Sequence, residues 1–462
     1  MSDLRNWLTH LANQGRLRTF KPGIDPHFEI MGLCERLDGV SASFFPSPKN
    51  HDVPIVSGLL QQRQWIAEAL NCQQSDVLEL IQSATANPLD WAPVNSDKAP
   101  VHEVVYRGKD IDLKKIMPVI QLHEDDAGPF VTSGIVNGLH LKTGKQNAAI
   151  HRMQVHGPDK LGILMLPRDL HAFYQEAQAE DKALPVTITI GHHPAIELAS
   201  QTIAERDHCE LNVAGALLGK PLPVVKSLTN DVMITAEAEF SIEGRILPNM
   251  RALEGPFGEF PKYYSGIDMQ PFIQIDCITH RKKPIYRVNN SSGSENIFLG
   301  GIPREATLLQ RMRVNFPTVA DLRLTVGGQG RYHLVVQMKK SEHGQAKNVI
   351  ANAFGCHYDI KMVTVVDMDI DIDQKDQIEW AVATRFEAHR DLVVIQSALG
   401  SKLDPSAGKH GVTDKVGLDA TAYLDEGQQF LVTKVPNEAG YDLKALTSAN
   451  QDALSDYLDS SQ

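Results

Sequence analysis

Residues 101–302 contain many short apolar runs separated by turn signals, and this pattern restricts the fold more than any other feature of the sequence. Turn-forming sequences such as Lys142-Thr143-Gly144 separate the runs. The predicted strands lie at residues 134–141, 148–155, 162–166, 185–191, 224–227, 236–246, 271–280 and 284–288. A long series of short strands is typical of a β-barrel or a β-sandwich. Two predicted helices, at residues 168–179 and 194–202, interrupt the series.

Helix and strand patterns alternate on both sides of this region. Residues 1–100 are predicted to form an N-terminal α/β domain, and residues 303–426 a C-terminal α/β domain. The predicted helices are 28–37, 64–84, 304–315, 345–354 and 376–388, and the predicted strands are 53–59, 321–326, 333–338, 361–367 and 392–395. Residues 427–462 form a polar tail, whose amphipathic helix near residues 443–458 is expected to contact a partner subunit.

Charge and cysteine usage exclude several classes of protein. The formal net charge is −12, with no dense basic run, so a nucleic acid is not expected as a partner. The five cysteines are scattered without a Cys-x-x-Cys pair, which is typical of a reducing compartment. The first residues lack the pattern of a signal peptide, and no apolar stretch is long enough to span a bilayer. We therefore expect a cytoplasmic protein.

Two glutamates separated by a glycine- and proline-containing segment are the first candidates for catalysis. Glu254 and Glu259 enclose the sequence Gly-Pro-Phe-Gly, which disfavours a helix and predicts a sharp turn. A turn can direct both carboxylates into one pocket, where their pKa values would separate and one group could hold a proton near neutral pH. The alternative is an ordinary turn with two solvated glutamates.

Three other stretches carry residues suited to binding or catalysis. In a predicted strand, Asn147 and Arg152 would lie on opposite faces, and Arg152 could form a bidentate pair with a carboxylate. Glu210 precedes a small apolar run that ends in glycine, and Lys415 lies in a predicted glycine-punctuated loop where it could bind a phosphate. Each has a plainer interpretation, as a surface arginine, a solvated glutamate at a strand edge and a solvated lysine.

Together these stretches resemble the UbiD family, whose members are decarboxylases that use prenylated FMN. The motifs that carry the resemblance are N-x-x-x-x-R, C-E-L-x-x-A-G, E-G-P-F-G-E and D-K-x-G-L-D-A-T, in this order along the chain. D-L-R-x-W-L, I-D-P-H-x-E-I and W-A-V-A-T-R extend it over most of the sequence. The resemblance implies an α+β multidomain fold, with a central flavin-reductase-like split β-barrel between two α/β domains.

The resemblance also assigns roles to the candidate catalytic residues. The family's Glu-Arg-Glu network would be Arg152, Glu254 and Glu259. Glu259 would return a proton to the product, while Arg152, paired with Glu254, would orient the substrate carboxylate. The chain contains neither G-x-S-x-G nor H-E-x-x-H, so the common hydrolase motifs are missing.

Cofactor-binding residues follow from the same resemblance. Asn147 and Glu210 match two ligands of the Mn²⁺ or Mg²⁺ ion that binds the cofactor phosphate, with K⁺ nearby, and Lys415 matches a lysine near that phosphate. Arg168 stands at the place of the family's third ligand, a histidine, and His171 lies one helical turn further on. Either His171 is the third ligand, or Arg168 contacts the phosphate directly and metal dependence is in doubt.

The expected reaction is the reversible non-oxidative decarboxylation of an aromatic or heteroaromatic acid, possibly of the furan type. Arg304, at a predicted helix start, could bind a second acidic group of the substrate or form a structural salt bridge. The alternatives are a hydroxybenzoate-type decarboxylase of a quinone pathway and a non-catalytic flavin-binding homologue. A flavin prenyltransferase would supply the cofactor, and a homodimer or higher homo-oligomer is expected.

Overall fold

The computed structural model describes residues 3–203, 208–408, 410–426, 429–437, 440–447 and 452–459. Two compact units can be separated, Met1–Thr421 and Ala422–Gln462. The division falls five residues before the boundary that the sequence predicts at residue 427. All of the candidate functional residues therefore belong to the first unit.

The N-terminal segment begins with an amphipathic helix that packs on a small sheet. Its elements are α1 (Leu4–Asn13), β1 (Leu17–Thr19), α2 (Glu29–Arg36), β2 (Ala42–Phe45), β3 (Ile55–Ser57), α3 (Arg63–Leu70), α4 (Val77–Ala86) and β4 (Ala92–Pro93). Asp3 caps α1 by accepting a hydrogen bond from the Asn6 amide at 2.8 Å. The predicted helix at residues 64–84 is wrong as a single element. Asn71, in the left-handed region with φ of 55°, ends α3, and α4 starts a new helix.

The central segment is built around an open nine-stranded sheet. Its elements are β5 (Val104–Arg107), α5 (Leu113–Ile116), β6 (Phe130–Val131), β7 (Ile135–Leu139), β8 (Gln146–Ile150), β9 (Met153–Val155), β10 (Lys160–Ile163), α6 (Asp169–Ala179), β11 (Leu184–Ile190), α7 (Pro194–Ala199), α8 (Glu210–Leu217), β12 (Pro223–Lys226), β13 (Met233–Thr235), β14 (Phe240–Ile246), β15 (Ala252–Glu254), β16 (Asp268–Gln270), β17 (Phe272–His280), β18 (Tyr286–Arg287) and α9 (Ser294–Asn315). The strand order is β6-β9-β10-β17-β14-β11-β7-β8, and β5 also pairs with β17.

This sheet curls so that its two ends approach each other. β8 is at one edge, whereas β9 is the second strand from the other edge, yet only His151 and Arg152 connect them. A two-residue link spans at most about 10 Å, so the edges must come close. Within the described residues no hydrogen-bonded ladder joins β8 to β9. Arg152 lies in this short link and not in a strand, which corrects its predicted position in a continuous strand from residue 148 to 155.

The C-terminal segment of the first unit is a five-stranded sheet with helices. Its elements are β19 (Val319–Leu324), β20 (His333–Met338), α10 (Gln345–Cys356), β21 (Met362–Val366), α11 (Lys375–Arg385), α12 (Ala388–Asp391), β22 (Leu392–Leu399) and β23 (Val412–Ala420), and the strand order is β19-β20-β21-β23-β22. One buried apolar cluster runs from this sheet and α10 through α9 to α4 and α8. The cluster explains why the three segments form one compact unit.

Two candidate residues lie in elements other than those predicted. Lys415 is inside β23 and not in a loop, and Gly417 is needed there because a Cβ atom would lie 2.2 Å from Ile350 Cγ2 of α10. Arg304 is inside α9 and not at a helix start. That helix begins at Ser294, whose amide and hydroxyl donate to Asp38, and it continues through Pro303.

The second unit contains α13 (Leu443–Leu446) and α14 (Asp452–Asp459), where the sequence predicts one helix near residues 443–458. Residues 448–451 of that prediction lie outside the described residues. Across the described chain, none of the helices has the length and apolar character that crossing a membrane requires.

Candidate active site

Arg152, Glu254 and Glu259 meet in one ion-pair network. The Arg152 guanidinium donates through Nε to Glu254 Oε1 at 2.9 Å and through Nη2 to Glu254 Oε2 at 2.7 Å. Its Nη1 donates to Glu259 Oε1. The side chains of Arg152 and Glu254 are 10% and 2% exposed, and that of Glu259 is 14% exposed. The fork-like pairing holds Glu254 firmly, whereas Glu259 is attached through one nitrogen and is the more accessible carboxylate.

The turn that carries Glu259 is fixed by hydrogen bonds to its backbone. Gln154 accepts from the Gly255 amide at 3.0 Å, and the buried Asp126 accepts from the Gly258 amide at 2.8 Å. Ser291 donates from its hydroxyl to the Gly258 carbonyl at 2.6 Å. Gly255 has φ of +87°, and a Cβ atom there would lie 2.5 Å from the Gly266 carbonyl oxygen. The segment is thus a constrained turn, as the Gly-Pro-Phe-Gly sequence predicts.

The Phe257 ring packs against the guanidinium of Arg152. The Arg152 Cζ atom lies 5.2 Å from the centroid of the Phe257 ring, which is almost completely buried. A cation at this distance from a ring face is attracted to it, and a desolvated pair of this kind contributes on the order of 2 kcal/mol. The same six-residue motif therefore supplies both carboxylates and the platform under the arginine.

Asn147 and Glu210 form a second, more deeply buried pair. Asn147 Nδ2 donates to Glu210 Oε1 at 3.0 Å, and the Ala148 amide donates to Glu210 Oε2 at 2.7 Å. Glu210 is buried and opens α8, which rules out the plainer interpretation of a solvated glutamate at a strand edge. Burial, with a smaller contribution from the negative charge of Asp169, raises the pKa of Glu210 to about 7. Asn147 Oδ1 is buried and has no hydrogen-bond partner in the part of the chain that the structure describes.

An unpaired carbonyl oxygen beside a buried carboxylate is typical of an incomplete cation site. Amide and carboxylate oxygens are the ligands that Mg²⁺ and Mn²⁺ prefer. Asp169, the first residue of α6, adds negative charge to this place. The residues present therefore fit a hard divalent cation.

His171 lies elsewhere. It lines a surface cavity with Tyr174 and Arg251, and its Nε2 is 3.3 Å from Gln175 Nε2. In the described ranges, no three or more histidine, cysteine, aspartate and glutamate side chains are grouped so that they could hold a metal ion. The structure thus brings Asn147 and Glu210 together but does not bring His171 to them.

Basic side chains collect around Arg304. Burial lowers the pKa of Arg304 to about 9, and the positive charges of Arg331 and Arg168 lower it as well, against the effect of Asp359. Arg304 Nη1 is buried without a hydrogen-bond partner among the residues described. Lys415 Nζ donates to the Tyr358 carbonyl at 2.9 Å, and burial lowers its pKa. Lys415 is buried, Arg304 and Arg331 are partly buried and Arg168 is exposed, and such a group of cations with one nearby carboxylate is suited to an anionic ligand.

Sequence reasoning missed Asp126, Asp169 and Arg331. Asp126 precedes a Gly-Pro turn and carries no signal that distinguishes it from an ordinary turn aspartate. Arg331 follows the segment Gly327-Gly328-Gln329-Gly330, which is a detectable turn signal, but no sequence signal places Arg331 against the turn that carries Glu259.

Family models match three consecutive parts of the chain. The model described as the 3-octaprenyl-4-hydroxybenzoate carboxy-lyase Rift-related domain matches residues 92–294. The N-terminal and C-terminal domain models of the same carboxy-lyase match residues 8–85 and 297–420. The chain belongs to the UbiD family. It is a carboxy-lyase with a mixed α+β multidomain fold.

Relatives of the UbiD class are similar over most of their length. The UbiD-class enzyme HmfF from Pelotomaculum thermopropionicum, solved in complex with FMN, is 41% identical with a TM-score of 0.94, covering 96% of this chain and 100% of that one. The anhydromevalonate phosphate decarboxylase of Methanothermobacter thermautotrophicus is 35% identical and covers 83% of this chain and 88% of its own. The gallate decarboxylase of Lactiplantibacillus plantarum is 30% identical, and the matched region covers 88% of this chain and 91% of that protein.

Proposed function

We propose that this UbiD-family protein catalyses reversible non-oxidative decarboxylation of an aromatic or heteroaromatic acid, with prenylated FMN bound in the curled central sheet. We propose that this sheet is a flavin-reductase-like split β-barrel. The observation that carries the proposal is the convergence of Arg152, Glu254 and Glu259 in one largely buried network. Supporting it, an evolved dimeric form of HmfF has been solved with prenylated FMN.

The reaction needs an electron sink that side chains lack. Loss of CO₂ from an sp² carbon leaves a carbanion with no adjacent orbital to share its charge, so the barrier is very high. Prenylated FMN, when bound, supplies that sink. The protein then has to hold the substrate carboxylate and return one proton to the carbon that lost CO₂. Arg152 orients the carboxylate while Glu254 holds the guanidinium, and Glu259, the more accessible acid, donates the proton.

The cofactor phosphate is assigned to a divalent cation and to Lys415. Asn147 Oδ1 and Glu210 would ligate Mn²⁺ or Mg²⁺, and K⁺ would bind nearby. For the third protein ligand we propose Asp169 in place of His171, because the charge of Asp169 acts on Glu210 and His171 lines a surface cavity with Tyr174 and Arg251. Arg168, the residue directly before Asp169, is proposed to contact the cofactor phosphate.

Replacing Glu210 by alanine is expected to remove most of the bound divalent metal and lower the flavin content at least tenfold, because one hard ligand and its charge are lost. Metal analysis and flavin absorbance of purified protein measure both. Asp169→Asn should lower metal content in the same direction, whereas His171→Ala and the exposed control Glu79→Ala should retain it. Full metal occupancy in Glu210→Ala would remove this site from the account, and metal loss in His171→Ala alone would restore His171 as the ligand.

The substrate is proposed to carry a second acidic group. Arg304, with its buried unpaired Nη1 and two neighbouring arginines, suits such a group, and this favours a furan dicarboxylate over a monocarboxylic acid.

Co-expression with a flavin prenyltransferase tests the function. The holoprotein is incubated with furan-2,5-dicarboxylate, 2-furoate, gallate and 4-hydroxybenzoate, and CO₂ release is measured. Fastest turnover of the dicarboxylate supports the proposal. Preference for 4-hydroxybenzoate identifies the quinone-pathway class, and flavin-loaded protein without turnover identifies a non-catalytic homologue.

Self-association is proposed to involve the tail. Its described part exposes large apolar side chains, among them Leu431, Leu443 and Tyr457, each at least 70% exposed. A tail of this kind is expected to bury these groups against a second copy of the chain. A variant that ends at residue 426 should therefore contain fewer subunits than the full-length protein, as given by the light-scattering mass divided by the mass of its own chain, while keeping its flavin. An unchanged number of subunits would contradict a role for the tail.

A further inference from the structure

A glycine-rich segment of the C-terminal part, residues 326–332, packs on the turn that carries Glu259. The Arg331 Cζ atom lies 4.1 Å from the centroid of the Phe260 ring, which is a close cation–π contact. The Tyr332 ring lies beside the same phenylalanine, with 5.5 Å between the centroids. Phe260 is 3% exposed and is the residue directly after Glu259. Nothing in the proposed roles of Arg152 and Glu254 accounts for this second arginine.

The glycines hold this segment in place. Gly330 has φ of +64°, and a Cβ atom there would lie 2.7 Å from the Ile297 carbonyl oxygen of α9. At Gly328 a Cβ atom would lie 2.6 Å from His333 Cβ. A backbone that approaches its neighbours this closely has little freedom to shift. Arg331 therefore contacts Phe260 from a backbone segment that has little freedom to move.

The contact between Arg331 and Phe260 affects the orientation of Glu259, the proposed proton donor. Upstream of Glu259, Asp126 and Ser291 hold the backbone at Gly258. Downstream, the Glu259 amide donates to the Tyr263 carbonyl at 3.0 Å, so the chain turns back at once. On the downstream side of Glu259, the buried Phe260 side chain anchors the turn, and Arg331 packs over its ring. Displacement of a catalytic group by about 1 Å can lower a rate about 100-fold.

We propose that Arg331 is a positioning residue that holds Glu259 in its proton-donating orientation through the Phe260 ring. This inference rests on the proposed function. Arg331 also contributes positive charge near Arg304, so a role in binding a second acidic group has to be separated from positioning. A monocarboxylic acid separates the two, because it has no second acidic group to bind.

The test compares Arg331→Met and Arg331→Lys with the wild-type holoprotein on the best monocarboxylic acid of the panel. For Arg331→Met we expect kcat to fall about 10- to 100-fold, KM to change less than about threefold and flavin content to stay constant. The solvent deuterium isotope effect on kcat should rise, because proton donation becomes slower than the other steps. Arg331→Lys, which keeps a cation over the ring, should recover at least part of kcat.

Arg16→Met is the matched control, since Arg16 Cζ lies 5.7 Å from the Trp65 ring centroid in the N-terminal segment, outside the proposed site. It should leave kcat and the isotope effect unchanged. Wild-type kcat in Arg331→Met, or a loss of kcat with an unchanged isotope effect, overturns the positioning role alone. Wild-type holoprotein that releases no CO₂ from any acid overturns the proposed function, and the positioning role with it.

Discussion

Glu259→Gln is expected to lower kcat for decarboxylation by about 10²- to 10⁴-fold, the usual range for loss of a general acid. The amide oxygen can still accept a hydrogen bond from Arg152, but the side chain has no acidic proton to give. Flavin and metal content should match those of the wild type, because Glu259 lies in the Arg152 network and not in the Asn147–Glu210 pair. Steady-state CO₂ release, normalised to bound flavin, measures the effect.

The exposed residue Glu79 provides the control for this substitution. Glu79→Gln should retain the wild-type kcat. Glu259→Asp should be intermediate, because it keeps the acid but shortens the side chain by one methylene. Full activity in Glu259→Gln would exclude Glu259 as the proton donor.

Arg287→Met is expected to destabilise the protein by about 3–5 kcal/mol, because it leaves two buried carboxylates without their cation. Arg287 is fully buried and donates to both Glu197 oxygens at 3.2 and 3.1 Å and to Glu295 at 2.5 Å. Glu295 also accepts the amides of Gly58 and Leu59 from the N-terminal segment. The loss should appear as an earlier unfolding midpoint in urea.

An exposed ion pair gives the reference for this stability effect. Lys226 and Asp231 lie 2.5 Å apart, with side chains 61% and 76% exposed. Lys226→Met should change stability by less than about 1 kcal/mol, as exposed pairs contribute little. Equal midpoints for Arg287→Met and Lys226→Met would contradict the importance of the buried network.

Local sequence signals predicted the turn between Glu254 and Glu259 well. Glycine and proline between Glu254 and Glu259 indicate a turn whatever the surrounding fold, and the structure has one there. The prediction that Arg152 meets a carboxylate also agrees with the geometry, although the arginine lies in a two-residue link and not in a strand. These features depend on a few neighbouring residues, which is why they could be inferred from the sequence.

Contacts between distant segments decided the features that the sequence did not reveal. Gly417 suggests a loop, but it lies in β23 between its partners Val363 and Val393, and Ile350 of α10 occupies the space that a side chain there would need. His171 and Asp169 are two residues apart, yet the charge of Asp169 acts on Glu210 whereas His171 lines a surface cavity with Tyr174 and Arg251, a difference that no local pattern encodes. The contact between Arg331 and Phe260 joins residues 71 positions apart, and no local pattern encodes it.

In the proposed mechanism, Glu259 transfers a proton at the carbon from which CO₂ departs. By microscopic reversibility, the same group must remove the ring hydrogen of the product when CO₂ is absent. The direct measurement is therefore deuterium incorporation into 2-furoate by holoprotein in D₂O, followed by NMR. We expect labelling at one ring position by the wild type and none above background by flavin-loaded Glu259→Gln. Equal labelling by both proteins would contradict this mechanism.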